Sequence, residues 1–274
     1  GPGSSSSAVK VAIRVRPFIK EDNQKGEDQK LVMCSDSMQT LEIWEPDFER
    51  RKQQFTFDRV YWSVNSDNSH YATQTTLFDE LGQDLIHHAL SGFNSCIFAY
   101  GQTGSGKSYS MLGDETPEGQ GILPRVVQGL FEALRSREAA GWSVAVSFME
   151  IYNEQIRDLL CERGGTANSN LKVQSHPTLG AMVPGLTDVS VQSDEQVMEH
   201  ITKGMQQRSV ASTFQNTSVT RSHVIFTLRT TIQSQIGSKL DCQMHIVDLA
   251  GSERASRTKA RGSMLAEGGA INKS

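Results

Sequence analysis

The sequence predicts an α/β fold: a central, mostly parallel or mixed β-sheet with helices on both faces. Three observations carry this. Strand-like and helix-like hydrophobic patterns interleave along the 274 residues, the arrangement that sandwiches a sheet between helical layers. A short apolar run, SCIFAY (95–100), leads into a glycine loop and then a helical pattern; a strand apolar at nearly every position is buried on both faces. A second apolar run ends at an acid, Asp248, which sets a carboxylate at the carboxyl edge of such a sheet.

The elements follow in order. GPGSSSS (1–7) reads as a protease-cleavage scar and linker, and residues 8–274 as one domain. VKVAIRV (9–15) alternates as a strand, and Pro17, with no N–H for a ladder, stops it. Residues 20–30 form a charged loop. MQTLEIWE (38–45) and QQFTFDRVYW (53–62) are two further strands, split around Pro46. From Ser69 to Leu90 the pattern is helical, with Leu77, Leu81, Leu85 and Ala89 stepping by four and Gly92 as the stop. A helix opens at Lys107, breaks at DETPEGQG (114–121) and resumes near Pro124. WSVAVSFMEIYNE (142–154) is strand-like, with IRDLL after it. SDEQVMEHITKGMQQR (193–208) is a helix with Ser193 and Gln196 as its capping pair. HVIFTLRTTI (223–232) and CQMHIVDLA (242–250) are strands joined by a turn at IGSK.

Bulk properties narrow the partners. The formal net charge is −4. A nucleic-acid binder is more often basic, so no nucleic acid is expected. No apolar run approaches the ~18 residues of a membrane span, so this domain is expected to make no membrane contact. Cys34, Cys96, Cys161 and Cys242 are scattered without a C-x-x-C pair. They read as reduced thiols of a cytosolic protein.

GQTGSGKS (101–108) has the spacing of a phosphate-binding P-loop. Gly101, Gly104 and Gly106 let the backbone of Gln102, Thr103 and Ser105 turn tightly enough to aim N–H groups at phosphate oxygens. Lys107 reaches the β/γ oxygens, Ser108 offers a hydroxyl to Mg²⁺, and the following helix presents the positive end of its dipole. The loop alone leaves ATP and GTP open. HIVDLAGSE (245–253) supplies the acid that the Mg²⁺ shell needs, Asp248, and a glycine N–H at Gly251 that approaches a γ-phosphate. NTSVTRSH (216–223) adds Thr220 and Ser222, whose hydroxyls reach Mg²⁺ or a water, and Arg221, which pairs with Glu253.

FAYGQTGSGKSYSMLG, SFMEIYNEQIRDLL, NTSVTRSH and VDLAGSE, in this order and with RVRP (14–17) upstream and EGGAINKS (267–274) downstream, closely resemble the kinesin motor domain. YWSVNSDNSHYATQ and LKVQSHPTLGAMVPGL look like its kinesin-3 group. The resemblance implies an eight-stranded P-loop NTPase-type sheet, ATP and ADP with Mg²⁺ as ligands, microtubules as the track, and a place on the cytoplasmic cytoskeleton. It implies that Arg14, Arg16 and Pro17 flank the adenine and ribose, with Tyr109 stacking on the base. NTSVTRSH and DLAGSE match its two switch segments. Glu253, bridged to Arg221, then orients the attacking water. Ser108, Thr220 and, through water, Asp248 serve the metal. Arg257, Lys259 and Arg261 face the acidic microtubule. Val219 stands where the family has a serine; one lost hydrogen bond of ~1 kcal/mol would slow hydrolysis several-fold.

The family motor domain continues past Ser274, so its C-terminal part is expected to be missing here, and any dimer would form through segments outside this chain. Two other readings compete. A non-motile microtubule binder with slow or lost turnover is one. A GTPase switch is the other, but it needs an N/TKxD-type base-reading motif that the chain does not contain.

Overall fold

Alternating burial organises the structure, a computed structural model that describes residues 9–19, 32–35, 37–44, 52–137, 141–161, 171–176, 180–214 and 221–253. The chain divides into two compact units, Gly1–Leu77 and Phe78–Ser274.

In the first unit, β1 (Ala12–Val15) pairs in parallel with β5 (Arg59–Trp62). A separate antiparallel sheet holds β2 (Val32–Cys34), β3 (Thr40–Trp44) and β4 (Lys52–Thr56). The run 53–62, expected as one strand, is therefore two. The chain turns at Phe57 and Asp58 because their groups are taken elsewhere. Phe57 N–H donates to Gln39 O, and the Asp58 carboxylate accepts Val11 N–H at 2.7 Å. Val60 and Tyr61 are fully buried and centre this unit. The helix expected from Ser69 starts later, as α1 (Gln74–Leu77). Asn65 and Asn68 bond forward to the N–H groups of Asp67 and His70, which offers the backbone a turn instead of a helix. Thr73 then caps the start by accepting Thr76 N–H at 3.1 Å.

The second unit opens with a π-helical turn, Phe78–Gly82, and then α2 (Gln83–Leu90), β6 (Ser95–Ala99), α3 (Lys107–Met111) and α4 (Ile122–Ser136). β7 (Gly141–Tyr152) and β8 (Gln155–Asp158) make a hairpin whose two turn residues, Asn153 and Glu154, both have positive φ. A short pair, β9 (Gln174–His176) and β10 (Gly180–Met182), is followed by β11 (Val189–Val191) and α5 (Asp194–Phe214). β12 (His223–Gln233) and β13 (Lys239–Asp248) form a long hairpin closed by Ser234 and Ser238, at the IGSK turn. The capping pair of α5 is present: Gln196 N–H reaches Ser193 Oγ, and the Gln196 amide reaches back to Gln192 N–H.

The main sheet runs β11-β7-β12-β13-β6, with β8 also on β7. That is six strands among the described residues where the resemblance implies eight. The sheet is mixed. Only the β13–β6 pairing is parallel, because β7–β8 and β12–β13 are hairpins and a hairpin is antiparallel. One face is the core, with Val146 and Phe148 of β7, Phe226 and Leu228 of β12, and Met244 and Ile246 of β13 all buried. Burial of each such side chain contributes about 1.5–3 kcal/mol. Phe131 of α4 meets Trp142 edge-on at 5.7 Å. α5 comes so close at Gly204 that a Cβ would strike Phe148. α4 and α5 pack on this face.

Candidate functional site

Register brings three chain segments to one edge of the main sheet. Ala99, the last residue of β6, pairs with Asp248, the last of β13. Val224 of β12 lies opposite Asp248 on the other side. The glycine loop, the segment after Asp248 and the segment before β12 therefore meet. Hydrogen bonds continue past the strand ends: Leu249 N–H to Ala99 O at 3.3 Å and Ser252 N–H to Gly101 O at 3.0 Å. Ala250 N–H donates to His223 Nδ1 at 3.1 Å. A cavity of about 260 Å³ opens here, lined among others by Gly104, Gly106, Lys107, Ser108, Tyr109 and Asp248.

The loop has the conformation its glycines predict. Gly104 and Gly106 sit at φ of +79° and +95°, a region other residues enter only at a cost. Lys107 Nζ donates to Gly101 O at 3.0 Å and Gln102 O at 3.1 Å. Burial pushes its pKa below the ordinary lysine value, against the opposing pull of Asp248 and Glu253. The helix that follows, α3, is only five residues long. A helix this short has little summed dipole, so any anion held here would rely on individual groups of the loop and on Lys107.

Ser108 and Asp248 meet as predicted: Ser108 Oγ donates to Asp248 Oδ2 at 2.5 Å. Asp248 Oδ1 is buried and has no hydrogen-bond partner among the described residues. A buried carboxylate oxygen in that condition carries a desolvation penalty. A hydroxyl and a carboxylate beside a phosphate loop are the hard oxygen donors that Mg²⁺ takes, with substrate phosphates and waters completing the shell. The residues present fit that ion. Among the described residues no cluster of three His, Cys, Asp or Glu side chains could hold a metal.

Glu253 departs from the expected pairing with Arg221. Its carboxylate is held by Thr103, through N–H at 2.9 Å and Oγ1 at 2.5 Å. Gly251 makes this approach feasible, since a Cβ there would collide with both partners. Burial raises the Glu253 pKa, but the Thr103 hydroxyl and N–H, the backbone N–H of Glu253 and Lys107 together bring it below the usual glutamate value. Arg221 stands half-buried at the entry to β12.

Arg14, Arg16 and Pro17 lie in the first unit. The Arg14 guanidinium donates to Ser63 Oγ at 3.1 Å and Gln74 Oε1 at 2.7 Å, and Arg16 donates to Pro17 O at 2.8 Å. Tyr109 is 45% exposed on α3, where a ring can receive a base. Val219, Thr220, Arg257, Lys259 and Arg261 lie outside the described residues.

Two site residues escaped the sequence reading, Arg208 of α5 and Glu150 of β7. Arg208 lines the cavity together with Ser222. Glu150 is 4% exposed and Arg208 5%, and they are paired at 3.1 Å. Ser222 Oγ donates to Glu150 Oε1 at 2.5 Å and accepts from Arg208 at 3.0 Å. One signal was available: in the alternating run of β7, Glu150 falls on the inward parity of Val146 and Phe148.

The family model for the kinesin motor domain matches residues 14–274. The chain belongs to the kinesin motor-domain family. It is 41% identical over 276 residues to Kinesin-like protein unc-104 of Caenorhabditis elegans and 38% identical over 280 residues to Kinesin-like protein Klp98A of Drosophila melanogaster, each covering 98% of this chain. These relatives are kinesin-3 motors. This chain spans only 17% and 22% of their respective lengths. Among solved structures, a fast kinesin matches with a TM-score of 0.86 at 36% identity, covering 98% of this chain and 73% of its own. The KIF14 motor, solved with ADP in complex with a microtubule, matches at 0.83 and 35%, covering 98% and 76%. A mixed sheet with its nucleotide loop at the strand ends is thus the kinesin motor fold.

Proposed function

We propose that this chain is the ATP-hydrolysing head of a microtubule motor acting on the cytoplasmic cytoskeleton. The observation that carries the reading is the Ser108–Asp248 pair beside Lys107, with the second Asp248 oxygen buried and without a hydrogen-bond partner among the described residues. In this reading the loop N–H groups and Lys107 hold the phosphates of ATP and ADP. Ser108 and Asp248, with Thr220, would hold Mg²⁺. Mg²⁺, when bound, neutralises charge on the β and γ oxygens. Gly251 offers its N–H to the γ-phosphate. Glu253, with its lowered pKa, is ionised at neutral pH and acts as the acceptor that orients the attacking water. Tyr109 stacks on the base. Arg257, Lys259 and Arg261 meet the acidic track, an attraction that high salt would weaken.

Steady-state ATPase with and without microtubules tests this. The wild-type chain is expected to hydrolyse ATP faster with microtubules. Lys107→Ala is expected to lose ATP affinity by about 10²-fold, the scale of one or two charge-assisted hydrogen bonds. Glu253→Ala is expected to lower turnover by at least about 100-fold, with binding of a fluorescent ATP analogue changed no more than a few-fold. Turnover of the Glu253 variant within a few-fold of wild type would remove that residue from the reaction. Microtubule binding without turnover by the wild type would mean a non-motile binder.

A further inference from the structure

The phosphate cavity is ionic in part. Its lining holds Lys107, Ser108 and Asp248 and also Arg208 and Ser222. Arg208 projects from α5 and Glu150 from β7, and both are almost fully buried. Arg208 Nε donates to Glu150 Oε1 at 3.1 Å. The other carboxylate oxygen accepts from Arg157 Nη1 of β8 at 2.9 Å. Arg208 Nη2 donates to Ser222 Oγ at 3.0 Å and Ser222 O at 3.4 Å, while the Ser222 hydroxyl donates to Glu150 Oε1 at 2.5 Å. Ser222 is thus held at its side chain and at its carbonyl, at the point where the segment 216–223 enters β12.

Stability does not explain this arrangement. Two charges taken out of water lose much of what their attraction returns, and an apolar pair of like volume often serves a fold as well. Nor does folding require the ions to border a cavity. The network does fix one thing: the position of the residue that ends the loop before β12. Glu150 and Asp248 each lie opposite Val224 across the sheet, so the same strand end is gauged from both sides.

We propose that Glu150 and Arg208 are positioning residues that seat Ser222, at the entry to β12, against the phosphate cavity, so that removing their charges slows turnover more than it weakens nucleotide binding. This rests on the phosphate-site reading above. It also reassigns Ser222: its hydroxyl is committed to Glu150, and its contribution is to set the entry to β12.

The double variant Glu150→Gln/Arg208→Met keeps volume and removes both charges. Its melting temperature, its affinity for fluorescent mant-ATP and its steady-state turnover are compared with wild type. Turnover is expected to fall at least tenfold, with affinity within about threefold and a melting temperature near wild type. Ser222→Ala is expected to show the same split, and Ser222→Thr to recover most of the turnover. Adding Ser222→Ala to the double variant is expected to change turnover less than twofold, because residues acting as one unit are not additive. A folded double variant with wild-type turnover overturns the proposal. If the double variant fails to fold, Ser222→Ala decides: normal turnover, or affinity falling in parallel with turnover, overturns it equally. A wild-type chain that binds no mant-ATP defeats the phosphate-site reading itself, a failure that needs no variant to detect.

Discussion

Two buried acids stand in one row across the main sheet, Glu150 on β7 and Asp248 on β13, with Val224 of β12 between them. They are 4% and 8% exposed. Glu150 has both oxygens satisfied, by two arginines and a hydroxyl. Asp248 has one oxygen satisfied by Ser108 and one without a hydrogen-bond partner among the described residues. Burial is the same and completion is not. A completed buried acid holds protein groups in place, and removing it strands the buried Arg208. An uncompleted one is suited to a ligand, and the fold has already accepted its desolvation.

The comparison can be broken by substitution. Glu150→Ala is expected to cost about 3–5 kcal/mol, since it strands buried Arg208; denaturant unfolding measures this, and a loss under about 1 kcal/mol would show the pair to be solvated. Asp248→Asn is expected to change stability by no more than about 1 kcal/mol, because the amide oxygen still accepts from Ser108. Its effect should instead fall on the metal: added Mg²⁺ should no longer strengthen mant-ADP binding. A destabilisation as large as that of Glu150→Ala would erase the distinction between the two acids.

The smallest expected effect concerns His245, a half-buried group satisfied while neutral. Its Nδ1 faces Thr227 Oγ1 at 2.9 Å. Burial first, and then Arg229, hold its pKa below the ordinary value of 6.5. The unfolded chain therefore binds the proton more tightly. The contribution to stability is present above about pH 6.5 and is lost as pH falls through the lower folded pKa, with a slope of at most about 1.4 kcal/mol per pH unit. Unfolding measured between pH 7.5 and 5.5 should flatten in His245→Gln. An unchanged slope would assign the loss to other groups.

Local signals in the sequence specified local structure well. The glycines at 104 and 106, the Ser193–Gln196 cap and the IGSK turn each act over a few residues, and each is present. So is Ser108 with Asp248, because a P-loop and a strand-end acid have a fixed relation in this type of sheet. What escaped depends on distance or on competition. Glu253 was assigned to Arg221, its neighbour in motif logic, yet Thr103, 150 residues away, holds it. Glu150 and Arg208 are 58 residues apart, and no spacing rule joins them. The start of the helix at Gln74 was misread because side chains of Asn65 and Asn68 compete for the backbone, and periodicity does not register that contest.

The two backbone bonds that run past the strand ends, Leu249 to Ala99 and Ser252 to Gly101, set an energy scale for motion. These contribute about 1 kcal/mol each, and the two charge-assisted bonds from Thr103 to Glu253 add roughly 1.5–3 kcal/mol each. Parting the two segments therefore costs about 5–8 kcal/mol. A state that lies this far above the ground state is occupied by fewer than roughly one molecule in a thousand. The glycine loop and the segment after Asp248 are held as one unit, and only a ligand that favours the parted arrangement by more than that cost inverts the populations.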